Sequence, residues 1–163
     1  MRLIRFATQD DLPRLVEIYN QAIASGTATA DTMPFTVSGR SDWFKKHDVN
    51  NCPIYCVERE GQVIGYLAVS PYRERTGLAH TAELSYYIDY RFHGQGMGSE
   101  LLANAIKDAP RIRKRIFLAI VLEWNAASLR LLEKYQFERW GYLPGVADIN
   151  GRVGGHFYLG RQV

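Results

Sequence analysis

Between Tyr86 and Leu102 the chain reads YYIDYRFHGQGMGSELL: a strand-like run, glycine at the alternate positions Gly94, Gly96 and Gly98, then a helix-like run. Glycine at such a junction loses conformational entropy on folding and buries no side chain. The pattern predicts either a backbone geometry that residues with a Cβ resist or a bare backbone surface. Where a strand turns into a helix, bare N–H groups can converge on an anion that the helix dipole also favours. The loop His93, Gly94, Gln95, Gly96, Met97, Gly98 is therefore a candidate pyrophosphate cradle. A tight turn that needs glycine only for φ accounts for the same spacing. Two phosphate signatures fail here. A Walker A loop needs Lys and Ser or Thr after its last glycine, and the dinucleotide fingerprint needs GxGxxG with an acid about 20 residues on, where this chain is basic.

Outward from this junction, Thr81 to Asp89 alternates, with Leu84, Tyr86 and Ile88 on one face and Glu83, Ser85 and Tyr87 on the other. Gly98 to Asp108 has helical spacing and Pro110 beyond its end. RIFLAIV (115–121) reads as a buried strand and Asn125 to Tyr135 as a helix. The tail from Phe137 to Leu159 holds two more strands. Upstream, LIRF (3–6) is a short strand and Thr8 to Ala24 a helix, with Thr8 or Asp10 as its cap. Thr27 to Ser38 is a loop and possible substrate-side lid, and Ser41 to His47 a short helix. IYCVEREGQVIGYLAVS (54–70) is a hairpin turning at Glu60-Gly61. This order predicts a mixed α/β fold in one domain, not a uniform βαβ series.

Composition narrows the function classes. With 163 residues, 47% hydrophobic and 23% charged, the chain is globular, and a net charge of +3 points to neither nucleic acid nor membrane. Cys52 and Cys56 stand alone, so the expectation is no metal and a reduced cytoplasmic setting. The N-terminus lacks the apolar run of a signal peptide, and no segment reaches the length of a membrane span. The basic run Arg111, Arg113, Lys114, Arg115 predicts a solvated face, ahead of a phosphate contact.

His93 to Gly98 resembles the Q/R-x-x-G-x-G/A signature of the Gcn5-related N-acetyltransferases (GNAT). The resemblance covers nearly the whole chain and is nearest the phosphinothricin/methionine sulfoximine acetyltransferase branch. IYNQAIASGTATADTMP (18–34), RERTGLAHTAELSYYID (73–89) and NAASLRLLEKYQF (125–137) resemble that branch's first helix and loop, the segment before the signature, and its NxxSxxLxEKxGF helix. The resemblance implies a mostly antiparallel sheet flanked by helices, with a splayed strand pair that holds acetyl-CoA. It implies acetyl transfer to a small amine, an amino acid or analogue, in a homodimer. Acetylation of a protein or peptide amine and a non-catalytic acyl-CoA-binding module are the alternatives.

The same resemblance assigns Glu83 as the base that takes the amine proton; on the strand alone, a glutamate facing solvent or paired with arginine explains it. It assigns the strand Tyr86, Tyr87, Ile88 to the pantetheine arm, where core packing is the plain reading of the side chains. Asn125 and Ser128 match the NxxS motif and the cofactor's amide arm, though an isolated Asn before a helix is first an N-cap. Arg73 and Arg75 precede Glu83, and Arg75 matches an arginine of the branch, suited to a bidentate carboxylate contact. An exposed loop arginine is the other reading. The chain departs from the family at His93 in the Q/R position, at Gln136 in the Gly-Phe pair and at Leu132, where many members carry a proton-donating Tyr or His.

Overall fold

A computed structural model describes residues 1–163 as eleven regular elements. They run β1 (Arg2–Phe6), α1 (Leu12–Ser25), α2 (Val37–Lys45), β2 (Ile54–Arg59), β3 (Gln62–Pro71), β4 (Thr81–Ile88), α3 (Met97–Asp108), β5 (Ile116–Leu122), α4 (Ala126–Lys134), β6 (Glu138–Ile149) and β7 (Arg152–Gln162). The strands form one seven-stranded sheet in the order β1-β2-β3-β4-β5-β7-β6. Every neighbouring pair is antiparallel except β4 with β5. This is the mixed α/β fold that the element order predicts, with the mostly antiparallel sheet that the family resemblance implies.

Alternation along β4 decides which layer each side chain joins. Ala82 and Leu84 are buried on the face that packs against Leu101, Leu102 and Ala105 of α3 and Leu129 and Leu132 of α4, with Tyr86 and Ile88 at its margin. On the opposite face, Leu15, Ile18, Tyr19 and Ile23 of α1 pack on Ile54, Cys56, Tyr66 and Ala68, with Tyr87 and Trp43 against them. Glu83 and Ser85 share the Tyr87 face. At the end of β4, Asp89 is fully buried and binds Arg14 of α1 and Arg91, so α1 is pinned to the strand that enters the glycine turn. The two guanidinium groups hold the Asp89 carboxyl well below the usual carboxylate range.

Three expectations need correction. Helix α2 begins at Val37 rather than Ser41, because the Thr36 hydroxyl accepts the Gly39 N–H at 3.0 Å and caps it. Weak helix formers at Val37, Ser38 and Gly39 hide that start. Helix α1 begins at Leu12, after a single 3₁₀ turn over Gln9–Asp11. The basic run is not a solvated face throughout. Lys114 is only 5% exposed, donating to Asn51 Oδ1 at 2.7 Å and the Ala79 carbonyl at 2.9 Å, and Arg111 pairs with Asp108 at 2.6 Å.

Candidate active site

Strands β4 and β5 pair only over Thr81↔Ile116, Ala82↔Phe117 and Glu83↔Leu118. Beyond Glu83 they part. β4 stays with β3 as far as Ile88, and β5 stays with β7 as far as Leu122. The wedge is part of a cleft of about 790 Å³ lined by Leu84–Ile88 on one side and Ala119–Leu122 on the other. Facing backbone groups of the two strands have no ladder partner across this gap, as at the edge of a sheet.

The glycine turn forms one end of the cleft, where His93, Gly94, Gly96, Met97 and Gly98 all line it. Gly94 and Gly96 have φ of 74° and 87°, so the turn needs glycine for its backbone alone. A Cβ at either would also meet nothing within 4 Å, which leaves open space over the start of α3. Gly98 has a different reason to be small, since a Cβ there would lie 3.0 Å from Leu131 of α4. The His93 ring is committed in part, with Nε2 bonded to the Ile88 carbonyl at 2.8 Å. Gln95 is exposed and outside the lining, and its carbonyl accepts from Arg2 at 2.9 Å.

Glu83 lines the cleft at the fork of the two strands. It makes no hydrogen bond or ion pair. Burial pushes its carboxyl pKa upward, and the charge of Arg73 opposes that shift only in part. Neither the solvent-facing nor the arginine-paired glutamate describes it. Asn125 is the N-cap of α4, its Oδ1 accepting the Ser128 N–H at 3.2 Å, while its Nδ2 makes no bond within the protein. Tyr86 reaches from β4 to α4, where its hydroxyl lies 2.5 Å from that of Ser128. Burial raises the Tyr86 phenol to about 12, so it stays protonated through neutral pH. Tyr87 points to the other face and packs edge-on to Tyr19 at 4.9 Å.

The structure does not bring Arg73 and Arg75 into the cleft. Both are exposed; Arg73 lies over the Tyr72 ring at 4.6 Å and donates to the Tyr72 carbonyl at 3.1 Å. A cation that the sequence does not single out is found there instead. Arg40 of α2 lines the cleft, as do Tyr19 and Thr27–Ala30 of the loop after α1. The signal was obscured because Arg40 falls before the expected start of its helix. No group of three or more His, Cys, Asp or Glu side chains is placed to hold a metal ion.

Residues 15–137 match the model of the acetyltransferase (GNAT) family. The chain is a member of that family. It is 38% identical over 161 residues to "Putative phosphinothricin acetyltransferase YwnH" of Bacillus subtilis (strain 168), covering 98% of both chains. It is 31% identical over 149 residues to the L-methionine sulfoximine/L-methionine sulfone acetyltransferase of Salmonella typhimurium, covering 91% of this chain and 87% of that one. The crystal structure of a GNAT superfamily phosphinothricin acetyltransferase (Pat) from Sinorhizobium meliloti, in complex with AcCoA, matches with a TM-score of 0.94 at 26% identity. That match covers 99% of this chain and 88% of the other.

Leu132 stands where many GNAT members carry a tyrosine, and here it is fully buried in the core between the sheet and α3–α4. A tyrosine at this position has to bury its phenol in the same core, so Leu132→Tyr tests core volume before it tests proton transfer.

Proposed function

We propose that residues 1–163 form one acetyl-CoA-dependent N-acetyltransferase domain. Its acceptor is the amine of a small molecule, an amino acid or an analogue such as phosphinothricin, methionine sulfoximine or methionine sulfone. The observation that carries this reading is Glu83, an unpaired and half-buried carboxylate at the point where β4 leaves β5. The family's cosubstrate fits the surroundings of that residue. Open space lies over Gly94 and Gly96 for a pyrophosphate, the free edge of β4 suits an extended arm, and Asn125 Nδ2 is available to an amide.

Bound acetyl-CoA supplies an activated acetyl thioester, and the chain's own groups supply the rest. N–H groups at the start of α3 hold the anion, with the helix dipole behind them. Tyr86, Tyr87 and Ile88 offer backbone to the arm as a neighbouring strand would, and a free N–H there polarises the acyl carbonyl. Glu83, ionised, takes a proton from the acceptor ammonium directly or through one water. A thiolate with a pKa near 8.5 can depart without a side-chain acid. The Tyr86–Ser128 hydroxyl pair is the protic group that α4 presents to the cleft one turn before Leu132.

Thiol release measured across amino acids, sulfone and sulfoximine analogues, polyamines and peptides tests the reading. Amino acids and their analogues should give acceptor-dependent release. Tight acetyl-CoA binding with no release on any acceptor would make the protein a binding module instead.

The homodimer belongs to the same proposal. Trp140, Tyr142, Leu143 and Val146 of β6 and Val153 of β7 are 38–64% exposed, an apolar band on the last hairpin of the sheet. Bands of this kind mark association surfaces. Light scattering at micromolar concentration should give twice the chain mass, and Trp140→Glu should shift it toward the monomer. A monomeric wild type removes the claim. A cytoplasmic location fits the free, buried thiols of Cys52 and Cys56.

A further inference from the structure

Arg40 sits in an aromatic cage. Its guanidinium carbon lies 4.4 Å from the ring centroid of Tyr19, 4.9 Å from that of Phe35 and 4.1 Å from that of Trp43. The three rings come from α1, the following loop and α2. Each residue is tied to its surroundings. The Tyr19 hydroxyl bonds Thr29 Oγ1 at 2.9 Å and the Asp31 carboxylate. Asn20 clamps Phe35 by both backbone groups at 2.9 Å, and the Trp43 carbonyl is bonded to the His47 ring at 2.8 Å. The guanidinium thus lies among three rings whose segments are tied to the rest of the fold.

Its charge, however, has no counter-ion. No carboxylate of the protein forms an ion pair with Arg40, the buried Nε has no hydrogen-bond partner, and the polar group leaning on it is the neutral Tyr66 phenol. Asp31, the acid of the neighbouring loop, is taken up by Tyr19. Aromatic faces attract the cation but offer its Nε–H no acceptor. A half-buried guanidinium without a carboxylate partner is costly, and a planar fork fits a carboxylate in two parallel bonds. Arg40 is also the only lysine or arginine that lines the cleft. It approaches from the α1–α2 side of the sheet, the side that Glu83 and Tyr87 share.

We propose that Arg40 selects the acceptor by capturing an anionic group, a carboxylate in the amino acids, beside the amine that Glu83 deprotonates. This rests on the N-acetyltransferase reading above. It makes Arg40, rather than Arg73 or Arg75, the specificity-determining cation. The acceptor class becomes amines that carry an acid, with free polyamines and amidated amino acids disfavoured.

The test compares an amino acid that the wild type acetylates with its C-terminal amide, in the wild type, Arg40→Lys and Arg40→Met. Calorimetry of both acceptors and of acetyl-CoA runs beside the kinetics, and melting temperature reports folding. The wild type should favour the acid by ~30-fold or more in kcat/KM, chiefly through KM. Arg40→Lys keeps charge but loses the fork and should raise KM for the acid ~10-fold. Arg40→Met should bring acid and amide close together, with acetyl-CoA affinity retained. A wild type indifferent to amidation overturns the proposal, whether or not Arg40→Met folds. So does a preference that survives in folded Arg40 variants. If no acceptor releases thiol but acid binding is present and disappears in the variants, the catalytic reading fails and the Arg40 site stands; if no acid binds, the site fails.

Discussion

Glu83→Gln should lower turnover on the order of a hundredfold or more while acetyl-CoA affinity is retained, because removing a general base typically costs 10²–10⁴-fold. Glutamine keeps the shape of the side chain, and Glu83 has no hydrogen bond or ion pair to lose. The defect should shrink as pH rises, since an amine with a pKa near or above about 8 then loses its proton to solvent. Wild-type turnover should fall on the acid side as the carboxyl protonates, at a pH above that of an ordinary glutamate because burial raises its pKa. Stability should move the other way. A carboxyl whose pKa is higher folded than unfolded binds more protons in the native state between the two values, so its ionisation destabilises the fold as pH rises through that window. Glu83→Gln should therefore melt no lower than the wild type at neutral pH. Pre-steady-state thiol release and thermal melts across pH read both effects, and near-normal turnover of the variant at neutral pH would end the assignment of Glu83 as base.

Gly96→Val should cost acetyl-CoA binding about a hundredfold. The residue has φ of 87° and caps the N-terminus of α3, a conformation in which a β-branched side chain is strained. Relief of that strain should turn the first N–H groups of the helix away from the proposed pyrophosphate position, and whatever side chain remains stands in open space over the turn. Gly96→Asn is the matched control, since asparagine tolerates the left-handed region and should lose much less. Calorimetry with acetyl-CoA, alongside circular dichroism to verify the fold, measures both. Unchanged affinity in a folded Gly96→Val protein would remove the pyrophosphate from this turn.

The legible parts of the fold were those with a local period. Alternation in β4 assigned Glu83 and Leu84 to opposite faces, and the spaced glycines announced the turn into α3. Glu60-Gly61 marked the first hairpin. Asn150-Gly151 makes the β6–β7 turn with positive φ at both residues and is as strong a signal, inside a tail whose residues otherwise show only two strands. Less legible were features assembled from distant segments. The cage around Arg40 draws one ring each from residues 19, 35 and 43, and nothing in R-S-D-W-F shows that the arginine lacks a counter-ion. Proximity in sequence to Glu83 made Arg73 and Arg75 attractive, yet both lie on the exposed segment before β4. Lys114 reads as one cation in a surface run, and only its fold neighbours at 51 and 79 show that it is buried.

The parting of β4 from β5 has a consequence for the protein's life in solution. An unpaired edge in the middle of a sheet is a template for any extended chain, and a partly unfolded copy of this same sequence is an available partner. On the proposed reading, occupancy by the cosubstrate would cover that edge and, at a hundred times its dissociation constant, add about 2.7 kcal/mol to the folded state. Resistance to aggregation would then be tied to the supply of coenzyme A, and the protein without it should be in its most self-adhesive form.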